Sequence, residues 1–220
     1  MVKLYCAVYI ISKGVKFMGK VITIGRQLGS NGKIIGKMLS EKLGYKFYDK
    51  DIIAEMLRKQ GFGAAIFEGI DEKPSNSFLY SLVMGVQTGK GLYYQYNDLL
   101  NGDNVFRVQS DLIKDLAKDG NSVFVGRCAD YILRDHEQLT KIFLYADNKY
   151  RIETLVERNG VSEKEAASAI SKADKRRANF YNFYTNQAWG QIENYDLAVN
   201  TGKCSKETVV DVIEKYIQSK

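Results

Sequence analysis

The sequence predicts an α/β fold in which a parallel sheet of about five strands carries helices on both faces. Two observations indicate this. Segments such as KVITIG (20–25) and SVFVG (122–126) are short and almost continuously apolar, as buried parallel strands are. Strand-like segments also alternate with segments of helical periodicity, which is the pattern of a parallel sheet with crossover helices. A chain of 220 residues is long enough for one such domain.

The elements follow one another in a regular order. The predicted strands are KVITIG (20–25), YKFYD (45–49), SVFVG (122–126), TKIFLYA (140–146) and YDLAVNT (195–201). The predicted helices are 34–43, 51–60, 106–120, 127–135 (a short helix or a turn), 148–160, 162–187 (one arm or two helices) and 205–217. Gly44 is expected to end the first helix, and Ser205 is expected to cap the last.

The domain organisation is read as an N-terminal extension over 1–19 and a single domain over 20–220. MGKVITIG (18–25) is a natural domain start, so the residues before it are an extension or an over-long start, or else an added edge strand. LYCAVYII (4–11) faintly resembles a signal-peptide core but lacks a small-residue cleavage site. Within the domain, about 50–104 forms a mostly helical insert, and about 160–190 forms a basic helical arm.

Composition favours an anionic ligand. The net charge of +6 fits nucleotide phosphates, nucleic acid or an acidic membrane surface, as well as a merely basic solvated surface. The three cysteines are far apart and there is one histidine, so no local zinc site is predicted. A reducing, cytoplasmic compartment is the simpler interpretation. No apolar run approaches the roughly 20 residues of a membrane span.

A glycine turn between the first strand and first helix is the strongest candidate site. Such a turn directs backbone N–H groups outward at the positive end of a helix dipole, where phosphate binds readily. The strict GxxxxGK[ST] pattern fails, because position 27 is Gln and Ile34 follows Lys33; no GxGxxG spacing fits either. A structural turn remains the alternative. The predicted phosphate-binding residues are Arg26, Gly29, Ser30, Asn31, Gly32, Lys33 and Ile34.

Several segments in this order resemble the cytidylate-kinase-like family, a divergent branch of the P-loop nucleoside monophosphate kinases. They are ITIGRQLGSNGKIIGKMLSEKLGYKFYDKDII (22–53), VFVGRCADYIL (123–133), KIFLYADNKYRI (141–152), DKRRANFYNFYT (174–185) and YDLAVNTGKCSKETVVDVI (195–213). The resemblance runs from about Lys20 to the C-terminus. It implies the three-layer P-loop kinase fold, an acceptor-site insert, a LID-like arm, ATP as phosphate donor, and Mg²⁺.

The resemblance also assigns roles in the loop. Gly32 stands where the P-loop lysine belongs, so Lys33 is the implied catalytic cation from a shifted register. Ile34 replaces the hydroxyl residue that follows that lysine, and Val125 stands where many P-loop proteins have an aspartate. No protein ligand for the metal is therefore identified.

On the acceptor side, the resemblance implies that Asp49 and Arg127 bind the acceptor nucleotide. Capping of the next helix explains Asp49 equally well, and Cys128 stands where the family has an aspartate. In the arm, Lys175 and Arg177 are the implied catalytic cations that close over the transferring phosphoryl group, with Arg176 as a substitute. Arg151 is a weaker candidate.

The sequence thus predicts an ATP-dependent phosphotransferase acting on a CMP-like nucleoside monophosphate or a similar small acceptor. The alternative is a nucleotide-binding module with a degenerate loop and no transferase activity. A nucleic-acid-binding protein is a third option that rests only on charge and aromatic content. The expected partners are the nucleotide donor and the small acceptor, with no nucleic acid and no membrane.

Overall fold

The computed structural model describes residues 19–60 and 102–220. The predicted N-terminal extension, and most of the predicted acceptor-site insert, lie outside these residues. No helix among them is long and apolar enough to cross a membrane.

Five parallel strands form the sheet in the order β2-β3-β1-β4-β5. The strands are β1 (Val21–Arg26), β2 (Lys46–Tyr48), β3 (Ser122–Val125), β4 (Leu139–Tyr145) and β5 (Leu197–Asn200). Ile24 of β1 pairs with Val125 of β3 on one side and with Ile142 of β4 on the other. The predicted parallel sheet is therefore confirmed.

Seven α-helices connect and cover the strands of the described part of the chain. They are α1 (Gly32–Leu43), α2 (Lys50–Lys59), α3 (Gly102–Lys118), α4 (Ala129–Ile132), α5 (Asn148–Asn159), α6 (Glu163–Thr185) and α7 (Lys206–Gln218). The arm that the sequence left as one or two helices is one helix of 23 residues. A capping box begins it, because Ser162 and Glu165 bond each other's backbone N–H groups.

The sheet separates two apolar cores, as expected when helices cover both faces. One core joins the sheet to α1 and α7 and contains Ile22, Ile24, Ile35, Leu39, Val123, Ile142, Leu144, Val209 and Ile213. The other core joins it to α2, α3, α4 and the end of α6, through Tyr48, Ile53, Leu57, Ile113, Phe124, Ile132, Phe180 and Tyr181. A smaller cluster of Leu155, Ala166 and Ile170 packs α5 on α6, with Leu28 against it.

Because all strands are parallel, the connections after β1, β3 and β4 start at one end of the sheet, the carboxyl end. β1 lies at the centre; the chain first forms β2 and β3 on one side of it and then crosses to form β4 and β5 on the other. This reversal leaves a crevice at the carboxyl ends of the strands, which is where open α/β sheets bind ligands.

Asp49 lies at this end of the sheet and caps the start of α2. Its Oδ1 atom accepts hydrogen bonds from the N–H groups of Asp51 and Ile52, each at 3.0 Å. Its Oδ2 atom lies 2.7 Å from Nζ of Lys33. Burial alone would raise the pKa of Asp49, but the Lys33 ammonium and the two N–H groups hold it below the ordinary value.

This geometry predicts a pH-dependent contribution of Asp49 to stability. Asp49→Ala should lower the free energy of unfolding by about 1–2 kcal/mol at pH 7, because the helix cap is lost. Asp49→Asn should lose less than about 1 kcal/mol, since the amide oxygen still caps and the exposed ammonium is screened. The folded pKa lies below the unfolded value of about 3.9, so the charged carboxylate stabilises the fold above that value. Its contribution disappears as the pH falls through the folded pKa.

Urea unfolding of wild type and Asp49→Asn at several pH values measures this. The gap between the two proteins should close in acid. A gap that is the same at neutral and acid pH would show that the ion pair contributes nothing.

Candidate functional site

The loop between β1 and α1, residues 27–31, is wound tightly and is called the phosphate loop below. Gly29 has φ 84° and Asn31 has φ 58°, so both adopt the left-handed conformation. A Cβ atom on Gly29 would lie 2.7 Å from the carbonyl oxygen of Arg151, and one on Gly32 would lie 2.6 Å from Cβ of Arg26. Glycine is therefore required at both positions.

The loop leads directly into α1, which has free N–H groups at its start. The first N–H groups of a helix lack partners within the helix, and the dipole adds partial positive charge there. Gly29, Asn31, Gly32 and Lys33 line the crevice at the end of the sheet, so the loop brings the start of α1 to this crevice. This is the arrangement that binds phosphate in many proteins.

Polar contacts fix the loop against its neighbours. The Gln27 N–H donates to the Leu144 carbonyl at 3.0 Å, and the Ala146 N–H donates to Oε1 of Gln27 at 3.1 Å. The Thr201 hydroxyl donates to the Ser30 carbonyl at 2.9 Å. The Ser30 side chain is fully buried and donates to the Gln27 carbonyl at 2.9 Å. Ser30 therefore stabilises the loop from its buried side, and its hydroxyl does not face the crevice.

Leu28 is held by two side chains from outside the loop. Its N–H donates to Oδ1 of Asp174 on α6 at 3.0 Å. Its carbonyl accepts from Nε of Arg151 on α5 at 2.7 Å. The Arg151 guanidinium also pairs with Oδ2 of Asp174. Arg151 is only 4% exposed, so it supports the loop and does not face the crevice as a catalytic cation would.

The crevice in front of the loop is a cavity of about 310 Å³. Loop residues line one side, the start of α2 lines another, and α5 and α6 close it. The charged lining residues are Arg26, Lys33, Asp49, Lys50, Asp51, Arg158, Arg176 and Arg177. Cations outnumber the two carboxylates, which suits a polyphosphate ligand.

Lys33 bridges the two carboxylates of this cavity. Its ammonium lies 2.7 Å from Oδ2 of Asp49 and 2.7 Å from Oδ2 of Asp51. These hydrogen bonds, Asp49 first, raise the pKa of Lys33 above its ordinary value. Lys33, which the sequence predicts to act on phosphate, thus lies in the first turn of α1 and bonds the two carboxylates at the start of α2. Its catalytic role stays a prediction.

The arm contributes cations to the cavity, but not the pair that the resemblance implies. Arg177 donates from Nη1 to the Arg26 carbonyl at 3.0 Å and lies 3.7 Å from Oδ1 of Asp174. Arg176 and Arg177 both line the cavity. Lys175 is exposed and is not among the lining residues, because it lies on a different side of α6. The geometry thus supports Arg176, the substitute, in place of Lys175.

Arg158 is a lining residue that sequence reasoning missed. It is in the last turn of α5, where a basic residue complements the helix dipole. Because the helix dipole alone accounts for a basic residue there, the sequence contains no sign that Arg158 lies at a ligand site. Only the packing of α5 beside α6 brings Arg158 to the cavity.

Arg127 lines a separate, smaller cavity of about 30 Å³. Arg26 and Arg177 line both cavities, so they stand between them. The Arg26 guanidinium lies against Gly126, where an added Cβ would overlap it. The structure therefore brings Arg127 into the same small cavity as Arg26 and Arg177 but does not bring it into the larger cavity with Asp49.

A second missed residue, Asp130, lines this smaller cavity with Arg127. Its Oδ2 atom accepts a hydrogen bond from the Tyr181 hydroxyl at 2.7 Å. Burial raises the pKa of Asp130 above its ordinary value, although the Tyr181 hydrogen bond opposes this. Asp130 thus brings a carboxyl group to the neighbourhood where Cys128 replaces the family's aspartate.

The residues present fit a magnesium ion that arrives with nucleotide phosphates. In residues 19–60 and 102–220, no three His, Cys, Asp or Glu side chains are grouped to hold a metal. Asp49 and Asp51 are the carboxylates of the cavity, and both contact Lys33. Magnesium in kinases is commonly held by substrate phosphates with one or two carboxylates, so these are the residues that would hold it.

Comparisons with known proteins agree with this fold. The chain matches the model of the cytidylate kinase-like family over residues 21–203. The cytidylate kinase of Pyrococcus horikoshii is 33% identical over 105 residues, which are 46% of this chain and 52% of that protein. The match thus spans about half of that relative's length.

Two solved structures have a similar fold. A protein from Eubacterium ventriosum described as uncharacterized has a TM-score of 0.69 at 27% identity, covering 91% of this chain and 99% of its own. Shikimate kinase from Bacteroides thetaiotaomicron has a TM-score of 0.52 at 13% identity, covering 90% and 98%. At that identity the likeness concerns the fold alone, which is the three-layer P-loop kinase fold. The chain belongs to the cytidylate kinase-like family, and family and fold together support a nucleotide kinase as its class.

Proposed function

We propose that the protein transfers the terminal phosphoryl group of ATP to a CMP-like nucleoside monophosphate or a similar small acceptor. One observation carries the proposal. The first residues of α1, Gly32 to Ile34, line the same cavity as Asp49 and the cations Arg26, Arg176 and Arg177. A site for anionic phosphates thus lies beside a carboxylate suited to an acceptor's polar groups.

In this mechanism the chain's own residues position phosphates and offset their charge. We assign the loop amides to the donor phosphates, with Arg26 and Arg177 beside them. Both arginines line the cavity, and Arg177 donates to the Arg26 carbonyl at 3.0 Å. Phosphoryl transfer needs alignment and stabilisation of charge on the equatorial oxygens more than it needs a covalent nucleophile. Bound Mg²⁺ would add charge neutralisation at the donor phosphates.

The assignment of the acceptor rests on family membership and on the residues that follow the carboxyl ends of β2 and β3. The relative from P. horikoshii is a cytidylate kinase. Asp49, in the larger cavity, is the residue we assign to the acceptor, and Arg127, which lines the smaller cavity, keeps that assignment by family resemblance alone. Asp130, beside Arg127, is a further carboxyl group on that side. The larger domain assignments belong to the same proposal: an acceptor-site insert over about 50–104 and a LID-like arm over about 160–190. We also place the protein in the cytoplasm, with ATP and the acceptor as its partners and without nucleic acid.

A nucleotide-binding module without transferase activity is the second candidate. Lys33 favours it, because its ammonium is engaged by Asp49 and Asp51. Ile34 and Val125 favour it too, since neither side chain can bind a metal. ATP binding with no turnover on any acceptor would select this candidate.

The first prediction from the proposal concerns activity. With MgATP, a coupled assay of ADP release should show turnover on a nucleoside monophosphate, with CMP preferred among CMP, UMP, AMP and GMP. Calorimetry with ATP alone should show binding, because the loop and its cations do not need the acceptor. No turnover across nucleoside and nucleotide acceptors would contradict the transferase assignment, and no binding of ATP would contradict both candidates.

The second prediction separates the cations of the arm. Arg177→Met should lower kcat by about 10²–10³-fold, as removal of a donor to the transferring group does in other enzymes. Arg176→Met should also lower kcat/KM, whereas Lys175→Met should stay within about twofold of wild type. Lys164→Met, on an exposed site of the same helix, is the matched control. A larger loss for Lys175→Met than for Arg176→Met would restore the assignment made from sequence.

The third prediction concerns Lys33. Lys33→Met should raise KM for ATP about tenfold, because a charged hydrogen bond to phosphate is lost, and Lys33→Arg should retain most of the affinity. Lys37→Met is the control, since Lys37 lies one turn along α1, outside the cavity, beside Glu41. An unchanged KM for ATP would mean that Lys33 serves only to bridge Asp49 and Asp51.

A further inference from the structure

Both polar groups of one loop residue are bound by one ion pair from two other helices. The Leu28 N–H donates to Asp174, and the Leu28 carbonyl accepts from Arg151. Arg151 and Asp174 also contact each other directly. The three residues are 23 to 146 positions apart in sequence, so only the packed fold brings them together.

This pair is more than a link between α5 and α6. The Arg151 side chain is 4% exposed and that of Asp174 is 17% exposed. Charges removed from water need partners that satisfy their remaining hydrogen-bonding groups. Here those partners include the backbone of Leu28, and Asn148 accepts a further Arg151 hydrogen bond at 3.2 Å. The pair is therefore satisfied only while the loop keeps this conformation.

The same residues set the distance between the loop and the arm. Asp174 lies in α6 just before Arg176 and Arg177, which line the cavity. Arg177 reaches the Arg26 carbonyl and also approaches Asp174. A shift of α6 along the loop would break the Asp174 contact with Leu28 and move these arginines away from the loop amides.

We propose that Arg151 and Asp174 are positioning residues that hold Leu28 so that the phosphate loop and the arm's arginines are aligned before the donor nucleotide binds. The effect on binding of the donor nucleotide rests on the function proposed above. The two contacts that hold Leu28, called the clamp below, do not depend on that function. The pair acts through the loop backbone. Alignment in advance of binding removes an ordering cost that the nucleotide would otherwise meet.

The test is a double variant that removes both charges, Arg151→Met with Asp174→Leu. Removing the two together avoids leaving either member of the pair buried without the other. Arg177, which also approaches Asp174, keeps its hydrogen bond to the Arg26 carbonyl, so the fold should survive. Hydrogen exchange of the peptide containing Leu28 should become at least about tenfold faster, because its N–H loses its acceptor. Kd and KM for ATP should rise by about tenfold or more, with KM for the acceptor unchanged.

The matched control is Glu157→Leu with Lys164→Met. It removes one charge of each sign from exposed sites on the same two helices. Exchange at Leu28 and KM for ATP should stay at the wild-type values. If the double variant instead lowers kcat with both KM values unchanged, the pair only maintains the amount of folded enzyme, and the proposal is wrong.

Asp174→Asn is the second variant if the double variant does not fold. Its amide oxygen can still accept from Leu28, but the ion pair is lost, so exchange and KM for ATP should lie between those of wild type and the values expected of the double variant. Rapid exchange of the Leu28 N–H in the wild-type protein would overturn the clamp without any variant. A wild-type protein that neither binds nor uses ATP would overturn only the proposed function. Hydrogen exchange at Leu28 would still test whether Arg151 and Asp174 hold this residue.

Discussion

The shape of the phosphate loop depends on Asp174, a carboxylate contributed by another helix. Asp174 binds the N–H of Leu28 while Arg151 binds its carbonyl, and the two side chains pair with each other. The left-handed turn at Gly29 then fits against the backbone of Arg151. The start of α1 and the arginines of α6 take their positions from this junction. The site is therefore an assembly of β1, α1, α5 and α6, and the loop is only one of its parts.

Several residues are candidates for the cation that replaces the usual P-loop lysine. Gly32 has no side chain to offer, and Lys33 is bound by the carboxylates at the start of α2. Arg26 leaves β1 at the loop and lies between the two cavities, while Arg177 bonds the Arg26 carbonyl. Their guanidinium groups suit phosphate oxygens because they present planar sets of donors.

Much of the fold could be predicted from the sequence, because β-branched runs such as 20–25 and 122–126 and the stops at Gly44 and Gly160 are local signals. The loop could be located for the same reason. The side of α6 that faces the cavity could not be predicted, since a helix with cations at 175, 176 and 177 gives no local sign of which one points inward. Arg158 and the role of Arg151 depend on how α5 packs against α6. The sequence is compatible with Asp49 as a helix cap and with Asp49 as a ligand-binding residue. In the structure its Oδ1 atom caps α2 while its Oδ2 atom faces Lys33.

A crystal structure with a non-hydrolysable ATP analogue and Mg²⁺ tests the central claim most directly. We expect the β- and γ-phosphate oxygens to accept hydrogen bonds from the amides at the start of α1. We also expect Arg26 and Arg177 to lie beside these oxygens, and Leu28 to stay bound to Arg151 and Asp174. Phosphates bound away from these amides, or a loop in which Leu28 has left Asp174, would contradict it.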